Sequence, residues 1–174
     1  LMTDDIPAGV CQLKTNAQVF LGGSCDPTTW RKEIAIPILE AAGISYGNPQ
    51  IADYSETDRY FKANGHKNGV ATVEAIAKQN AKVLLFVIDG QARATASAVE
   101  VAELIALRGD DMVLVIDDMN DQTEIAGQIV TGRELKDLNR MRAYLREQAE
   151  RFEVPVFDTV EGAVNEVIEL FLIV

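Results

Sequence analysis

The chain has 174 residues, of which 48% are hydrophobic and 25% are charged. This length suits one ordinary domain, and the apolar content excludes a chain that is disordered throughout. Sixteen Lys and Arg against 27 Asp and Glu give a net charge of -11, which would repel nucleic acid and anionic membrane surfaces, so we expect neither as a partner. We predict a single domain over 1–174, with 1–16 as an irregular N-terminal segment.

The numbers of cysteines and histidines and the lengths of the apolar runs exclude further classes of protein. Cys11 and Cys25 are too few for a disulfide framework and form no C-x-x-C pair, which favours a reducing, cytoplasmic setting. A single histidine, His66, argues against a multi-histidine metal site. The apolar runs, such as 83–88, are shorter than the roughly 20 residues of a membrane span, and 1–18 lacks the features of a signal peptide. We expect no metal, no organic cofactor and no membrane partner.

Short apolar runs bounded by turn residues alternate with segments of helical period, the pattern of a parallel sheet built from βαβ units. The third run is apolar throughout, so we place it at the centre of the sheet with helices on both faces. Five strands with intervening helices predict a flavodoxin-like doubly wound sheet in a three-layer α/β/α arrangement. The predicted strands are Ala17–Leu21, Ile44–Tyr46, Val83–Ile88, Met112–Ile116 and Val154–Phe157.

Helix boundaries are predicted from capping residues and periodicity. Asp26 as N-cap and Pro27 at the first helical position start the first helix, which ends before Gly43. A second helical region, 56–81, is interrupted at Asn64-Gly65 and at Gly69. The other helices are Ala96–Leu107, Glu134–Arg151 and Glu161–Leu170, with capping-box pairs at Thr131/Glu134 and Asp158/Glu161.

Residues 117–132 form the longest segment without a predicted helix or strand. The segment follows the fourth strand, at the carboxyl edge where doubly wound sheets bind their ligands. Loops of this length are often functional lids, and a solvated surface loop is the alternative.

The connection after the first strand carries Gly22, Gly23 and Ser24 ahead of a helix. Glycines let the backbone approach a ligand closely, and a helix N-terminus presents free N–H groups to an oxygen-rich group. The segment matches neither a Walker A nor a G-x-G-x-x-G sequence, and an ordinary tight turn is the alternative.

Glu100 lies at the start of the helix that follows the central strand. A carboxylate in this position is a candidate nucleophile or general base. The alternative is structural, because Ser97 and Glu100 have the spacing of a capping box, in which Glu100 only bonds the Ser97 amide. The helix 96–107 is mostly small or apolar, so we expect it to be buried on most sides.

Glu74 precedes Glu100 by 26 residues, on the helix that leads to the central strand. Two carboxylates that converge on one pocket can divide nucleophile and acid/base work if their environments separate their pKa values. A solvated helix residue is the alternative for Glu74. Nearby aromatic residues would stack on a planar base or pack in the core, namely Tyr54, Tyr60 and Phe61.

Arg140 and Arg142 lie in a strongly charged helix with one apolar face, so we expect their charges to be solvated. His66 lies in a polar, turn-like segment and is assigned no role.

Six short motifs follow one another between about residues 18 and 170. They are Val19–Ser24, Thr29–Arg31, Tyr46–Gln50, Leu84–Ile88, Ser97–Ala102 and Asp137–Leu145. Their order and spacing resemble the nucleoside 2-deoxyribosyltransferase-like family, the last motif resembling its small bacterial-type branch.

The resemblance implies a flavodoxin-like fold that acts on the N-glycosidic bonds of nucleosides or nucleotides. Glu100 matches the family's nucleophilic glutamate, and Glu74 stands where the family has its acid/base carboxylate, usually Asp. Asp89 loosely matches an aspartate that touches the sugar or base. Family members are commonly oligomers, so we expect a homo-oligomer in which the helix 139–142 of a neighbouring subunit closes the pocket.

The resemblance also implies a set of substrate-binding residues around the two carboxylates. The turn 22–24 would border the sugar or its 5-phosphate, and Asn48 and Asp89 would hold hydroxyls or base edges. Trp30 or Tyr46 would flank the base. The predicted set is Gly22, Gly23, Ser24, Trp30, Tyr46, Asn48, Asp89 and Ser97.

The leading hypothesis is cleavage or transfer of the N-glycosidic bond of a 2-deoxynucleoside or related nucleotide, with Glu100 attacking the anomeric carbon and Glu74 protonating the leaving base. An acceptor base gives transfer, and water gives hydrolysis. One alternative is a nucleoside 5-monophosphate N-glycosidase, with the phosphate on the 22–24 turn. Another is a non-catalytic nucleotide-binding or sensor module on the same fold, with Glu100 as a cap.

Overall fold

The computed structural model describes residues 13–51 and 53–172, so Cys11 and most of the predicted irregular N-terminal segment lie outside the described residues. The described strands are β1 (Val19–Gly23), β2 (Tyr46–Gly47), β3 (Val83–Ile88), β4 (Met112–Ile116), β5 (Thr123–Ile125), β6 (Gln128–Val130) and β7 (Val156–Phe157). Five of them form one parallel sheet in the order β2-β1-β3-β4-β7. The predicted flavodoxin-like doubly wound sheet is confirmed.

Helices cover both faces of this sheet. They are α1 (Ile36–Ala41), which continues a π-helical turn at Arg31–Ala35, α2 (Tyr54–Ala63), α3 (Val70–Asn80), α4 (Thr95–Arg108), α5 (Gly132–Arg151) and α6 (Val160–Leu172). α1 and α6 pack on one face, and α2, α3, α4 and α5 lie on the other, which confirms the three layers. None of the helices in the described ranges combines the length and the apolarity needed to cross a bilayer.

β3 lies at the centre of the sheet, and all six of its residues are buried. Because side chains alternate along a strand, Leu84, Phe86 and Ile88 pack towards α3 and α4. Val83, Leu85 and Val87 pack towards α1 and α6. Burial on both faces explains why the run is apolar without alternation.

Helix formation after β1 begins later than predicted. The helical backbone starts at Arg31, with Trp30 in the N-cap position, rather than near Pro27. The Thr28 hydroxyl donates to the carbonyls of Ser24 and Cys25, at 2.8 and 3.2 Å, and closes a turn there. This side-chain turn lies ahead of the helix, and because helical backbone starts only at Arg31 the Asp26 cap prediction was wrong.

Residues 117–132, predicted without regular structure, contain an antiparallel hairpin of β5 and β6. Its two tip residues, Ala126 and Gly127, both have positive φ, at 51° and 76°. Asn-Gly or Asp-Gly is the usual sequence of such a turn, and Ala-Gly carries a weaker signal. A small apolar cluster beneath the hairpin anchors it to α5 and consists of Met119, Val130 and Leu138.

Two predicted capping boxes are replaced by other hydrogen bonds. Thr131 is the N-cap of α5, but its hydroxyl donates to Asp121 and makes no cap bond. At the start of α6 the Thr159 hydroxyl, rather than Asp158, accepts from the Gly162 amide at 3.1 Å.

α4 is more exposed than its composition predicts. Val99 and Leu107 are 74% and 71% exposed. Only one side of α4, with Ala98, Val101 and Ile105, meets the sheet layer. The expectation of burial on most sides was wrong, because α4 belongs to an outer layer.

Candidate active site

The site lies at the carboxyl ends of β1 and β3, where the chain order of the sheet reverses. Connections from β1 and β3 lead to opposite sides at this point, and doubly wound sheets bind ligands in the crevice that results. A hydrogen bond of 3.3 Å between the hydroxyls of Ser24 and Ser97 joins the loop after β1 to the first turn of α4. The structure thus brings these two predicted substrate-binding residues together.

Glu100 lies in the second turn of α4, which begins at Thr95. The N-cap position is Ala94, in a left-handed conformation with φ 57° and no side-chain cap bond. Ser97 is therefore not a cap, and Glu100 instead forms an ion pair with Lys78 of α3 through Oε1. The capping-box interpretation of Glu100 was wrong, so this carboxylate has no role in starting the helix.

Glu74 lies on α3, within electrostatic reach of Glu100. Burial raises the pKa of the Glu74 carboxyl, and the nearby charge of Glu100 raises it further, while Lys78 and Arg31 lower it. The two carboxylates therefore have different environments. Glu74 is disposed to hold a proton, and Glu100 is held by a cation.

The Cys25 thiol also lies within electrostatic reach of these carboxylates. Burial raises its pKa, Arg31 lowers it, and Glu74 and Glu100 raise it again. The thiol is therefore neutral at neutral pH, and it lines the site as a small, weakly polar group. The sequence shows Cys25 in the loop, but no spacing signal connects it to either carboxylate.

Arg31 fixes the end of β1 and the loop that follows it. Its guanidinium is fully buried and donates to the carbonyls of Leu21, Gly23 and Ser24, at 3.0, 2.8 and 2.9 Å. Burial lowers the pKa of Arg31 to about 10. The Arg31 charge is thus committed to backbone carbonyls.

Gly22 and Gly23 are required by packing and backbone conformation. A Cβ at Gly22 would lie 2.2 Å from the Phe86 ring, and a Cβ at Gly23 would lie 2.2 Å from the carbonyl oxygen of Val87. Gly23 also has a positive φ of 114°. These constraints are sufficient to explain both glycines without a ligand, as the tight-turn alternative proposes.

The residues that would flank the base lie on the other face of the sheet. Trp30 is 4% exposed and belongs to the core between the sheet and α1 and α6. Tyr46 packs against the same cluster, and its hydroxyl donates to Glu40 at 2.8 Å. The carboxylates project from α3 and α4 on the opposite face, so the structure does not bring Trp30 or Tyr46 to them.

An aromatic residue does approach from α2. Burial and the charge of Glu74 raise the pKa of Tyr54, whose side chain is 54% exposed. Phe61, by contrast, is buried in the core, where its ring contacts Tyr60 and His66 edge-on. Of the predicted aromatic group, Tyr54 is the member that faces Glu74.

The loop after β2 is tied to the loop after β1. The Asn48 side chain accepts a hydrogen bond from the Gln50 amide at 3.0 Å, which forms a local turn. The Gln50 side chain donates to the carbonyls of Cys25 and Thr28. Gln50 therefore positions the loop that carries Ser24 and Cys25.

Asp89 lines a separate cavity of about 440 Å³ between the ends of β3 and β4. Its carboxylate accepts from the Gln91 amide at 2.6 Å. A second cavity of about 510 Å³ lies beyond β4 and β7. Neither cavity is lined by Glu74 or Glu100, although the charges of Asp89 and Glu74 both act on Arg31.

Arg142 is fully buried, which corrects the expectation that its charge is solvated. Its guanidinium donates to the carbonyls of Asp117, Leu138, Asp89 and Ala92, at 2.7 to 3.1 Å. Asn139 bonds both backbone groups of Met119. Both side chains therefore form hydrogen bonds within the same chain, whereas Arg140 is exposed and stacks on Tyr144.

Sequence reasoning missed Lys78, which pairs with Glu100 across two helices. The available signal was its position four residues after Glu74, because side chains four apart share a helix face. Among the described residues, no group of three or more His, Cys, Asp and Glu side chains is arranged to hold a metal ion.

The fold and the paired carboxylates define an α/β protein of the flavodoxin-like type, with a candidate small-molecule site at the switch point of its sheet. A family model described as "Nucleoside 2-deoxyribosyltransferase like" matches residues 16–119, more than half of the chain. The chain belongs to this family. The matched part contains Glu74, Lys78 and Glu100. No curated protein and no solved structure matches the chain significantly.

Proposed function

We propose that this protein cleaves the N-glycosidic bond of a 2-deoxynucleoside and transfers the sugar to an acceptor base or to water. The observation that carries the proposal is the meeting of Glu74 and Glu100 in different environments. Burial raises the pKa of Glu74, as a proton donor requires, while Glu100 is paired with the Lys78 ammonium. The family to which the chain belongs supports the same reaction class.

In the first step, a Glu100 oxygen bonds to the anomeric carbon as the bond from that carbon to the base nitrogen breaks. The electron pair of that bond goes to the base, and Glu74 supplies the proton that neutralises it. The product is a glycosyl ester of Glu100. In the second step the nitrogen of an acceptor base, or the oxygen of water, replaces Glu100 at the anomeric carbon and returns a proton to Glu74.

The charges of the site favour an unphosphorylated nucleoside over a 5-monophosphate. The cations that act on Glu74 are Lys78, paired with Glu100, and Arg31, bound to backbone carbonyls. The residues outside the described ranges contain no Lys, Arg or His. A phosphate beside the two carboxylates would thus meet negative charge, with both cations that act on Glu74 already engaged, which weakens the monophosphate alternative.

The binding-module alternative loses its main support. It assigned Glu100 to a capping box, and Glu100 takes no part in capping α4. A binding module has no use for two neighbouring carboxylates of which one has a raised pKa. Acid/base catalysis uses this difference between the two groups.

The test is a chromatographic assay of purified protein with deoxynucleosides and their 5-monophosphates, with and without a free acceptor base. We expect base exchange from deoxynucleosides, and a loss of roughly 10³-fold or more in kcat for Glu100→Gln. Glu103→Gln, an exposed position one turn further along α4, is the matched control and should behave like the parent. No base release from any substrate by the parent protein would reject the proposal.

A further inference from the structure

Lys78 is linked to both carboxylates. It follows Glu74 by four residues on α3, so the two side chains lie on one helix face, one turn apart. Its ammonium pairs with Glu100 Oε1 on α4. Burial raises the pKa of Glu74, and Lys78 is the largest of the charges that oppose this rise. One ammonium thus acts both on Glu100, the proposed nucleophile, and on Glu74, the proposed proton donor.

The Lys78 ammonium is held in place by its surroundings. The side chain is 21% exposed, and Nζ lies 5.8 Å from the centre of the Phe20 ring, within cation–π range. Arg108, in the last turn of α4, donates to the backbone carbonyls of Lys78 and Ala81. α3 and α4 are therefore tied together at the turn that carries Lys78.

Glu100 is held through one of its oxygens. Oε1 pairs with Lys78, and within 13–51 and 53–172 no side chain or backbone group forms a hydrogen bond with Oε2. An anchored carboxylate with one oxygen open is the arrangement that attack on an anomeric carbon needs. The ion pair with Lys78 thus restrains the Glu100 side chain through Oε1.

We propose that Lys78 is a positioning residue that serves the two carboxylates in turn as their shared counter-ion. The inference rests on the function proposed above. It assigns to Lys78 no contact with the substrate, and it adds a third charged group to the pair that the sequence predicts.

The charges balance at each stage. In the proposed first step Glu100 attacks as a carboxylate and Glu74 carries the proton that it donates, so Lys78 neutralises Glu100. When Glu100 bonds to the sugar and the Glu74 proton passes to the leaving base, Glu100 becomes a neutral ester and Glu74 an anion. Lys78 then neutralises Glu74. The three side chains have a net charge of zero in both states, so no uncompensated charge is left in a partly buried site.

Several charged or titratable groups interact electrostatically with Glu74, and they come from α3, α4, α2 and the segment after β1. They are Lys78 on α3, Glu100 on α4, Arg31 and Cys25 after β1, and Tyr54 on α2. Because Arg31 is committed to backbone carbonyls, Lys78 is the cation that responds to the carboxylates. Removing its charge disfavours ionised Glu74, so the pH at which Glu74 loses its proton rises.

The first experiment compares Lys78→Gln, Lys78→Arg and the matched control Lys82→Gln, an exposed lysine immediately before β3. For Lys78→Gln we expect kcat to fall roughly 10- to 100-fold with little change in KM, and the alkaline limb of the rate to move to higher pH. Lys78→Arg keeps the charge and should restore the position of the limb. Lys82→Gln should match the parent in both respects.

The second experiment needs no turnover. Carbon-13 NMR of the glutamate carboxyls follows the titration of Glu74 in each folded variant. We expect a higher Glu74 pKa in Lys78→Gln than in the parent. Glu100→Gln imitates the neutral ester, so we expect a lower Glu74 pKa there, and a smaller drop when Lys78→Gln is added.

The outcomes separate the two proposals. A Glu74 titration and an alkaline limb that do not move in Lys78→Gln overturn the counter-ion role, even if the parent is active. If Lys78→Gln does not fold by circular dichroism, an unchanged Glu74 titration in Glu100→Gln overturns it instead. A parent protein that releases no base rejects the proposed function, while the NMR titration still decides the coupling of Lys78 to Glu74.

Discussion

Two fully buried arginines hold the carboxyl edge of the sheet, one from each helical layer. Arg31 donates to three carbonyls at the end of β1 and the start of the following loop, none more than ten residues away in sequence. Arg142, on α5, donates to carbonyls as far as 53 residues away, in the loops after β3 and β4. Burial lowers the pKa of both guanidinium groups. Each has backbone carbonyls as its hydrogen-bond acceptors, in place of a carboxylate.

The difference between the two arginines is the range of the chain that each connects. Arg31 shapes one loop, which carries Ser24 and Cys25 beside the paired carboxylates. Arg142 joins three segments that are distant in sequence. We infer that loss of Arg142 acts on the stability of the whole domain, whereas loss of Arg31 acts on the candidate site as well.

The largest expected effect is that of Arg142→Met. The variant keeps much of the side-chain volume but loses the four hydrogen bonds from the guanidinium to backbone carbonyls, so we expect the free energy of unfolding to fall by about 3–4 kcal/mol. Urea unfolding followed by circular dichroism measures this. Arg140→Met, an exposed position on the same helix, is the control, and a loss below about 1 kcal/mol for Arg142→Met would contradict the long-range role.

Arg31→Met should have a smaller effect on stability and a larger one on activity. Three hydrogen bonds are lost, which predicts a fall of about 2–3 kcal/mol in the free energy of unfolding. Because the loop beside Glu74 is then no longer held, we also expect kcat/KM to fall roughly tenfold or more. Steady-state kinetics on folded protein, with exposed Lys32→Met as control, test this. Unchanged kinetics would show that Arg31 serves the fold alone.

The smallest expected effect concerns Asp117, whose backbone carbonyl accepts a hydrogen bond from Arg142. Burial and the nearby Asp89 charge raise the pKa of the Asp117 carboxyl above its ordinary value. A raised pKa means that the folded state binds more protons than the unfolded state, so this carboxyl lowers stability as the pH rises from about 4 through its folded pKa. Asp117→Asn should therefore be more stable than the parent at pH 7, by less than about 1 kcal/mol, and equal to it at pH 3. Urea unfolding at both pH values checks this, and equal stability at both would contradict it.

The strands that the sequence predicts best are those defined by burial on two faces. β3 and β4 have the predicted bounds because apolar runs there end at charged residues. β2 and β7 have two residues each, and their ends are set by pairing with a neighbour rather than by composition. Glu74 and Glu100 could be proposed as a pair because each lies on a helix next to the central strand. The family resemblance pointed to the same two positions.

Long-range hydrogen bonds explain most of what the sequence did not predict. Arg142 stands in a helix rich in charge, and nothing local distinguishes it from exposed Arg140. Trp30 is adjacent to a loop of the site, yet the direction of its side chain depends on where the helix starts. The Lys78 ion pair depends on the relative placement of α3 and α4, which a pattern of single residues does not contain.

The contact between Gly22 and Phe86 amounts to an exchange of volume between neighbouring strands. Gly22 on β1 has no side chain, and the ring of its β3 partner Phe86 fills the space that a Cβ would occupy, close to the loop that carries Ser24. The two positions therefore have to be changed together. A redesign that enlarges the residue at 22 must therefore reduce the one at 86.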